Sequence, residues 1–271
     1  MGTDNNVLND DMPILSIQMR IVSYSSIDKT LLLAPDLTKL DISENISLLL
    51  KNRGCAGRWR GDKYVPCDSD EAPYCIKCGG PPDPCVTCRG ECQKPEKTCD
   101  TEHSVYLAIF APDLVKVGVS KTPRLETRLA EQGADMGVEI ARFPDGELAR
   151  QRERSLASTY PDRATFESKV DGVSQTVNGE TLRMIYQRFD AGRIMRFDYF
   201  RETPWMKPIV LVPHENMAVS GRVLGVKGQV LVLAKGSTLY ALNLDGLIGY
   251  DVEAGKGLIN LQTSLFEFTR G

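Results

Sequence analysis

Long apolar stretches are missing from this 271-residue sequence. It contains no run of about 18 consecutive apolar residues, the length that a membrane-spanning helix needs. Residues 1–11 are polar and acidic and lack the apolar centre of a secretory signal. These two absences predict a cytoplasmic protein that does not contact a membrane.

A strong excess of charge of one sign is also absent. The formal net charge is −3 at pH 7, with 25% charged and 42% hydrophobic residues, as in an ordinary globular protein. This balance excludes a uniformly basic surface that wraps DNA or RNA. Any contact with nucleic acid must therefore come from a local basic patch.

Catalytic histidines and phosphate-binding loops are scarce. The chain has two histidines, His103 and His214, and neither accompanies a serine or cysteine in an arrangement suited to nucleophilic catalysis. Gly225 and Gly228 lack the lysine–serine pair and the following helix of a nucleotide-binding phosphate loop, so they predict a strand turn. The sequence therefore offers little support for a nucleophilic enzyme or for a nucleotidase with such a loop.

Cysteine is absent from both flanks and concentrated in residues 55–99. Cys75-Ile-Lys-Cys78 and Cys85-Val-Thr-Cys88 are C-x2-C pairs, whose spacing lets two thiolates reach one tetrahedral ion from a tight turn. Eight thiolates divide into two closed four-ligand sites, so the sequence predicts two structural zinc ions. Which cysteines share an ion stays open. The predicted ligands are Cys55, Cys67, Cys75, Cys78, Cys85, Cys88, Cys92 and Cys99.

Three alternatives to two four-cysteine zinc sites are left open by the sequence. Disulfides are disfavoured because a cytoplasmic protein keeps its thiols reduced. An iron–sulfur cluster could use Cys85, Cys88 and Cys92, although this spacing reverses the x3-then-x2 order of radical enzymes. His103, four residues after Cys99, could replace a cysteine as a zinc ligand.

The strand and helix patterns predict an α+β protein with further parts on both sides of the cysteines. Residues 14–24 alternate apolar and polar residues as a half-buried strand does, and glycine turns separate short strands near the C-terminus. The C-terminal part is expected to pack with the N-terminal strands. The predicted parts are a disordered tail at 1–12, an N-terminal β segment at 13–54, a zinc module at 55–103, an α/β domain at 104–204 and a small β domain at 205–271.

The α/β domain alternates strands and helices. Strands are predicted at 105–110, 115–119 and 138–143, and helices at 123–132 and from 146 to about 159. Thr122 followed by Pro123 is typical of a helix start. Gly133 is placed to end the first helix, and Asp145 is placed to cap the second.

Two charged residues fall on the predicted apolar face of the second helix. At 100° per residue, Arg152 and Glu153 share that face with Leu148, while Arg150 points away. A charge beside a core is costly unless it is paired or used in function. Glu153 is therefore either half of an ion pair with Arg152 or Arg128, or part of a cleft into which Arg128 reaches.

Two local basic patches are candidates for contact with DNA or RNA. Trp59 can stack on an unpaired base while neighbouring arginines contact phosphates. For each patch, a solvated charged face without a partner is the alternative. The first patch contains Lys51, Arg53, Arg58, Trp59, Arg60 and Lys63, and the second contains Lys116, Lys121, Arg124 and Arg128.

The α/β domain resembles the GIY-YIG nuclease domain. Ser-Val-Tyr at 104–106 is followed, nine residues later, by Lys-Val-Gly at 116–118, then by Arg128 on a helix and Glu153 on a later helix. In GIY-YIG domains, a tyrosine on each of two strands, an arginine on the first helix and a metal-binding glutamate on a later helix surround the scissile phosphate.

The resemblance assigns roles to individual residues. It implies that Tyr106 is the first tyrosine, Gly118 the glycine of the second motif, Arg128 (or less well Arg124) the arginine, and Glu153 the glutamate. Lys116 stands where the second tyrosine would be. Because lysine is a good phosphate contact and a poor substitute for a tyrosine base, this departure favours phosphate binding over cleavage.

From about residue 50 to 250 the chain also resembles an uncharacterised archaeal and bacterial family. The shared features are the cysteine-rich segment, Lys-Val-Gly at 116–118, an R-x3-R-x2-EQGA stretch at 124–134, Asp162-Arg163 after the glutamate-containing helix, and G-x-K-G-Q at 225–229. This resemblance implies a family but no activity.

Two functional hypotheses follow. In the first, a zinc-containing protein binds DNA or RNA and acts as a structure-selective endonuclease. Glu153 would hold Mg²⁺, Tyr106 or Lys116 would orient the attacking water, and Arg128 would clamp a phosphate oxygen. In the second, the protein is not an enzyme, and its zinc module docks on RNA, a ribonucleoprotein or another protein.

Overall fold

A computed structural model describes residues 19–254, except residues 82, 89, 93, 95, 97, 162, 190 and 191. The predicted tail at 1–12, the first part of the predicted strand at 14–24 and the end of the predicted C-terminal domain lie outside the described residues. Asp162 of the family stretch also lies outside them.

The described chain is a strand-rich α+β structure, which confirms the α+β part of the predicted fold class. Its strands are β1 (Met19–Ser25), β2 (Thr30–Ala34), β3 (Thr38–Asp41), β4 (Asn45–Arg53), β5 (Arg58–Arg60), β6 (Lys63–Val65), β7 (His103–Phe110), β8 (Leu114–Lys121), β9 (Met136–Phe143), β10 (Ile194–Arg196), β11 (Ile209–Leu211), β12 (Ala218–Lys227), β13 (Val230–Lys235), β14 (Thr238–Asn243) and β15 (Tyr250–Ala254). Its helices are α1 (Ile76–Gly79), α2 (Pro84–Thr87), α3 (Leu125–Gln132), α4 (Gly146–Leu156), α5 (Phe166–Asp171), α6 (Gly179–Arg188) and α7 (Leu244–Leu247).

Nine strands form the larger sheet, in the order β11-β14-β13-β12-β4-β15-β1-β2-β3. In β4, the buried residues Ile46, Leu48 and Leu50 alternate with more exposed ones, so one face of the strand packs on the core. β4 pairs with β12 on one side and with β15 on the other. The described strands of the predicted segments 13–54 and 205–271 therefore share one sheet.

Four antiparallel strands form the smaller sheet, in the order β10-β9-β7-β8. All eight residues of β7 are buried because both faces of this strand are covered. Tyr106 and Phe110 pack with α3 on one face, here called the α3 face. Val105 and Leu107 pack with α4 and α6 on the opposite face, here called the α4 face.

Two predicted helix ends are confirmed. Gly133 ends α3 in the left-handed conformation, with φ of +72°. The Asp145 side chain caps α4 by accepting a hydrogen bond of 2.9 Å from the Leu148 N–H. Both positions follow from local backbone chemistry, which is why a short stretch of sequence is sufficient to predict them.

The start of α3 was predicted wrongly. α3 begins at Leu125 rather than at Pro123, because residues 122–124 form a 3₁₀ turn. The Thr122 hydroxyl hydrogen-bonds to the Ser104 hydroxyl at 2.9 Å and provides no cap. The prediction also missed β10, α5 and α6.

None of the described helices has the length and apolar composition that a membrane crossing requires.

The two sheets meet where the turn after α3 packs on the β12–β13 turn. A Cβ atom on Gly133 would lie 2.8 Å from the backbone nitrogen of Gly228, so both turns need glycine for this close approach. Beside them, the fully buried Lys227 places its Nζ 2.8 and 2.6 Å from the two carboxylate oxygens of Asp135. This junction holds the β12–β13 turn against α3.

Candidate metal centre and phosphate site

Four of the eight cysteines form one cluster. The Sγ atoms of Cys55, Cys67, Cys75 and Cys78 all lie within 4.8 Å of one another, and those of Cys67 and Cys75 are 3.8 Å apart. Four thiolates at about 2.3 Å from a tetrahedral zinc ion are about 3.8 Å from each other. The first four cysteines can therefore hold one metal ion such as zinc.

Local structure brings these four sulfurs together. Cys55 follows β4, the β5–β6 hairpin separates it from Cys67, and Cys75 stands directly before α1, which contains Cys78. The Cys75 N–H donates to the Cys55 Sγ at 3.4 Å. Burial raises the pKa of Cys75, but hydrogen bonds from the backbone and side chain of Cys78 outweigh it, and the net pKa is lowered. Burial and hydrogen bonds from the neighbouring cysteines raise the pKa of Cys78, so without a metal ion the thiolate is favoured at Cys75 and disfavoured at Cys78.

One arginine fastens this cluster to the larger sheet. The Arg20 guanidinium on β1 donates to the backbone oxygens of Cys55 and Cys67 at 3.1 and 3.4 Å. The same group forms a two-point ion pair with Asp251 on β15, at 2.7 and 2.9 Å. No local sequence pattern predicts this role of Arg20, because the residues involved are up to 231 positions apart.

The other four cysteines line a shared cavity and form a second group. Cys85, Cys88, Cys92 and Cys99 line one cavity of about 290 Å³, along with His103. The His103 Nδ1 lies 2.5 Å from the backbone oxygen of Thr101, which leaves Nε2 as the nitrogen available to a metal. Among the described residues, the sulfurs of this second group do not all lie within 4.8 Å of one another, as those of the first group do.

This second group packs on α4. The Gly146 N–H donates to the Cys99 oxygen at 2.9 Å. Further along the helix, Arg150 donates to the Cys85 oxygen at 3.3 Å, and Gln151 donates to the Gly90 oxygen at 3.2 Å. Helix α4 therefore connects the second cysteine group to the smaller sheet.

Tyr106 occupies the centre of the candidate phosphate site on the α3 face. Its hydroxyl accepts a hydrogen bond of 2.7 Å from the Gln132 side chain. Its ring lies over Gly118, where an added Cβ would be 2.5 Å from the phenol oxygen. Burial raises the pKa of Tyr106, the hydrogen bond from Gln132 and the charge of Arg128 lower it, and the charge of Glu153 raises it, with a net increase. Tyr106 is therefore a neutral donor at pH 7.

Lys116 and Arg128 stand near this tyrosine. Lys116 pairs with Ala108 across the β7–β8 ladder, two residues from the Tyr106–Gly118 pair, so Lys116 is on the α3 face. Arg128 is about half exposed, with its Nη1 atom 3.6 Å from Glu131. Among the described residues, the Gln132 side-chain oxygen is one of two buried side-chain polar atoms without a hydrogen-bond partner.

The inward position of Glu153 is confirmed, but its predicted ion-pair partners are wrong. Glu153 is 8% exposed, and its carboxylate pairs with Arg150 at 2.9 Å rather than with Arg152 or Arg128. Arg152 and Leu148 are exposed, because the buried face is centred on residues 146, 149, 153 and 156. Helix α4 packs on the α4 face of the smaller sheet, whereas the Tyr106 side chain lies on the α3 face. Glu153 is therefore on the opposite side of the sheet from Tyr106.

The first basic patch is partly used in internal contacts. Lys51 lies 3.6 Å from Glu253, the Arg53 guanidinium stacks on Tyr250, and Arg58 donates to the Lys77 oxygen. On the β5–β6 hairpin, Trp59 is 47% exposed with its ring centre 5.5 Å from that of Tyr64, and Arg60 and Lys63 are also exposed.

The second basic patch is divided in the same way. Lys121 is exposed at the end of β8. Arg124 is also exposed, but its guanidinium pairs with Glu131 at 2.9 Å. Of the predicted nucleic-acid contacts, Trp59, Arg60 and Lys121 are therefore the ones that offer their functional groups to solvent most directly.

Two residues near Phe110 on the α3 face were missed by the sequence analysis. Lys169 on α5 is 5% exposed, and its Nζ donates to the side-chain oxygen of Gln229 in the β12–β13 turn. Its Nζ also lies 5.5 Å from the centre of the Phe110 ring on the α3 face. Gln229 belongs to the G-x-K-G-Q stretch, the only sequence signal that pointed to this turn.

These features define a strand-rich α+β protein with a four-cysteine cluster that can bind a metal ion such as zinc. Residues 52–252, which are 201 of the 271 residues, match the family model described as "Protein of unknown function (DUF2797)". The chain belongs to this family, so the predicted membership of an uncharacterised family is confirmed. No curated protein and no solved structure matches the chain.

Proposed function

We propose that this protein is a zinc-containing nucleic-acid-binding protein whose GIY-YIG-like domain carries a phosphate site on the α3 face. The observation that carries the proposal is the placement of Lys116 and Arg128 beside the neutral Tyr106 hydroxyl. Two cations and a hydroxyl donor match the charge and the acceptor oxygens of a phosphodiester.

The unpaired oxygen of Gln132 also supports a ligand site. Buried polar atoms in proteins nearly always have a hydrogen-bond partner, and an exception calls for a ligand or a water molecule. The Gln132 oxygen lies on the side chain that holds the Tyr106 hydroxyl. A bound nucleotide with a hydroxyl or amine beside its phosphate would satisfy this acceptor.

Zinc has a structural part in this proposal. The first cysteine group would hold one ion and fix the β5–β6 hairpin, which presents Trp59 and Arg60. The second group, Cys85, Cys88, Cys92 and Cys99, would hold another ion, with His103 as a possible replacement ligand. An exposed tryptophan beside cations suits the stacking of an unpaired base.

Replacing Arg128 by alanine tests the phosphate site. We expect Arg128→Ala to weaken binding of single-stranded and structured DNA and RNA, and to reduce the salt dependence of affinity by about one phosphate contact. Arg183→Ala is the matched control, because Arg183 is also an exposed helical arginine paired with a glutamate three residues away. Fluorescence anisotropy across a salt series measures both quantities.

Two results would contradict this prediction. Equal losses in Arg128→Ala and Arg183→Ala would show that only overall charge matters. No binding of DNA or RNA by the unmodified protein at about 50 mM salt, where phosphate contacts are strong, would favour the alternative of a protein or ribonucleoprotein partner.

An endonuclease is the second candidate, favoured by one observation. The charges of Arg128 and Glu153 both act on Tyr106, although Glu153 lies towards the α4 face. Glu153 would hold a Mg²⁺ ion with several waters, and that ion would neutralise charge on the phosphate. Lys116 or Tyr106 would orient the attacking water. Because the pKa of Tyr106 is raised, its role would be to orient the water and not to deprotonate it.

The Glu153→Gln variant distinguishes a catalytic role of Glu153 from a structural one. The change leaves Arg150, which is 27% exposed, without its carboxylate, so we expect the free energy of unfolding to fall by about 1–3 kcal/mol, less than for a fully buried pair. Nucleic-acid affinity should be nearly unchanged. Denaturant unfolding and a cleavage assay with Mg²⁺ on structured substrates measure the two effects.

The double variant Arg150→Gln with Glu153→Gln provides the control. It should recover part of the stability, because no uncompensated charge remains. Cleavage by the unmodified protein that disappears in Glu153→Gln, under conditions in which the variant is still folded, would support the endonuclease. A stable Glu153→Gln protein that still cuts would contradict both roles for this residue.

A further inference from the structure

Two lysines are buried near the junction of the sheets, and they differ in their partners. Lys227 is fully buried and contacts both carboxylate oxygens of Asp135. Lys169 is 5% exposed, and the hydrogen-bond partner of its ammonium in the described residues is the neutral side chain of Gln229. A buried charge without a counter-charge is costly. The burial of Lys227 is explained by its ion pair with Asp135, but the hydrogen bond from Lys169 to Gln229 provides no such counter-charge.

The surroundings of Lys169 are mainly positive. Burial is the largest effect on its pKa, followed by the charge of Lys116, which also lowers it, and by the charge of Asp245, which raises it. Lys227 and Arg128 add smaller decreases, and the net pKa is lowered to about 8. Lys116 lies on the α3 face, and Arg128 lies on α3 with its Nη1 atom 3.6 Å from Glu131. Of these cations, Lys169 is the buried one whose hydrogen-bond partner in the described residues is neutral, so an anion bound beside it would supply a counter-charge.

The position of Lys169 links this cluster to the larger sheet. Its ammonium lies above the Phe110 ring on the α3 face, and Gln229 reaches it from the β12–β13 turn. The contact between Gly133 and Gly228 fixes that turn against the end of α3. The Lys169 ammonium is therefore contacted by Phe110 from the smaller sheet and by Gln229 from the larger sheet.

We propose that Lys169 and Gln229 complete the phosphate site, so that one phosphate group binds between them and the Lys116–Arg128 side of the α3 face. This inference rests on the proposed function. The Lys169 ammonium would supply the counter-charge to the phosphate, and the Gln229 amide would donate to a phosphate oxygen while its carbonyl keeps Lys169 in place. The phosphate can belong to a nucleic-acid strand or be a free ion, and the two sources share this chemistry.

The test compares Lys169→Met with the unmodified protein. Methionine keeps the length and apolar stem of the side chain and removes the charge. We expect Lys169→Met to weaken binding of the phosphate source by about 10- to 100-fold, the effect of one charge-assisted hydrogen bond. Titrations with inorganic phosphate, with pyrophosphate and with a single-stranded oligonucleotide distinguish a free ion from a strand. Arg183→Met is the matched control and should bind like the unmodified protein.

Stability without ligand gives an independent result. The lowered pKa means that the unfolded chain binds more protons than the folded protein between about pH 8 and 10.5, so the Lys169 charge destabilises the fold at pH 7. Lys169→Met should therefore melt at a higher temperature than the unmodified protein at pH 7. The gain in melting temperature on adding the ligand should be smaller in the variant.

The pH dependence of binding provides a third result. Affinity of the unmodified protein should fall between about pH 7 and 9 as Lys169 loses its proton, whereas Lys169→Met should have little pH dependence in that range. Lys169→Arg keeps a charge at all these pH values, so its affinity, although reduced by the larger guanidinium, should not fall.

The outcomes separate this inference from the proposed function. If Lys169→Met binds all probes normally while Arg128→Ala does not, the phosphate site stands without Lys169. A lower melting temperature of Lys169→Met would show a structural lysine and would also overturn the inference. Failure of the unmodified protein to bind any of the three probes would overturn both.

Discussion

We expect that replacing Cys75 by serine removes one equivalent of bound zinc and unfolds the segment between Cys55 and Cys78, while the smaller sheet and α3 stay folded. The reason is that Cys75 is a central member of the only four-cysteine cluster in the described residues whose sulfurs are at ligand spacing. Structural zinc binds zinc-finger peptides with about 10–16 kcal/mol of free energy, all of which supports folding. Elemental analysis and hydrogen exchange measure the two effects.

A matched change in the second group tests the number of ions. Cys85→Ser should remove a second equivalent and leave the first, because Cys85 lines the other cavity with Cys88, Cys92 and Cys99. The two losses should add in the double variant. Full zinc content in Cys75→Ser, a visible iron–sulfur absorption, or intact disulfides in protein purified under reducing conditions would each contradict the two-zinc prediction.

Asp135→Asn should lower the free energy of unfolding by about 3–5 kcal/mol, because it leaves the fully buried Lys227 ammonium without a counter-charge. This loss corresponds to a fall in melting temperature on the order of 10 °C for a chain of this size. Denaturant unfolding and calorimetry provide the measurements. The change acts at the junction of the two sheets, so both sheets should lose stability together.

The double variant Asp135→Asn with Lys227→Met is the control for this prediction. The asparagine oxygen can still accept the hydrogen bond that Asp135 accepts from the Ala111 N–H at 2.8 Å, and no buried cation remains. The double variant should therefore be more stable than Asp135→Asn alone. A double variant as unstable as the single one would show that the carboxylate acts through another contact.

Local chemistry explains the predictions that succeeded. The C-x2-C spacing places Cys75 and Cys78 on one turn, and the glycine at 133 and the aspartate at 145 end and cap helices through contacts within a few residues. The strand and helix patterns placed Tyr106 on a strand and Arg128 on a helix, and these residues lie on β7 and α3. The metal ion, phosphate and nucleic acid themselves stay predictions.

Periodicity alone predicted too broad a buried face for α4. It placed Glu153 correctly, but Arg152 and Leu148 are exposed, because an angle of 100° per residue does not say which part of a wide face meets the sheet. The partner of Glu153 was also missed. Arg150 reaches forward along the helix to the Glu153 carboxylate and also donates to the Cys85 oxygen, a contact that depends on where the second cysteine loop packs.

The sequence by itself determined the α+β class, the cysteine spacing and the local turns, because these depend on residues close together in the chain. Only the tertiary structure decided that the N-terminal and C-terminal strands share one sheet, that Arg20 holds the cysteine cluster, and that the buried Lys169 meets Gln229 and Phe110. These contacts join residues tens to hundreds of positions apart. Their pairing is set by strand order and by the glycine junction, and strand register has no signature within a short stretch of sequence.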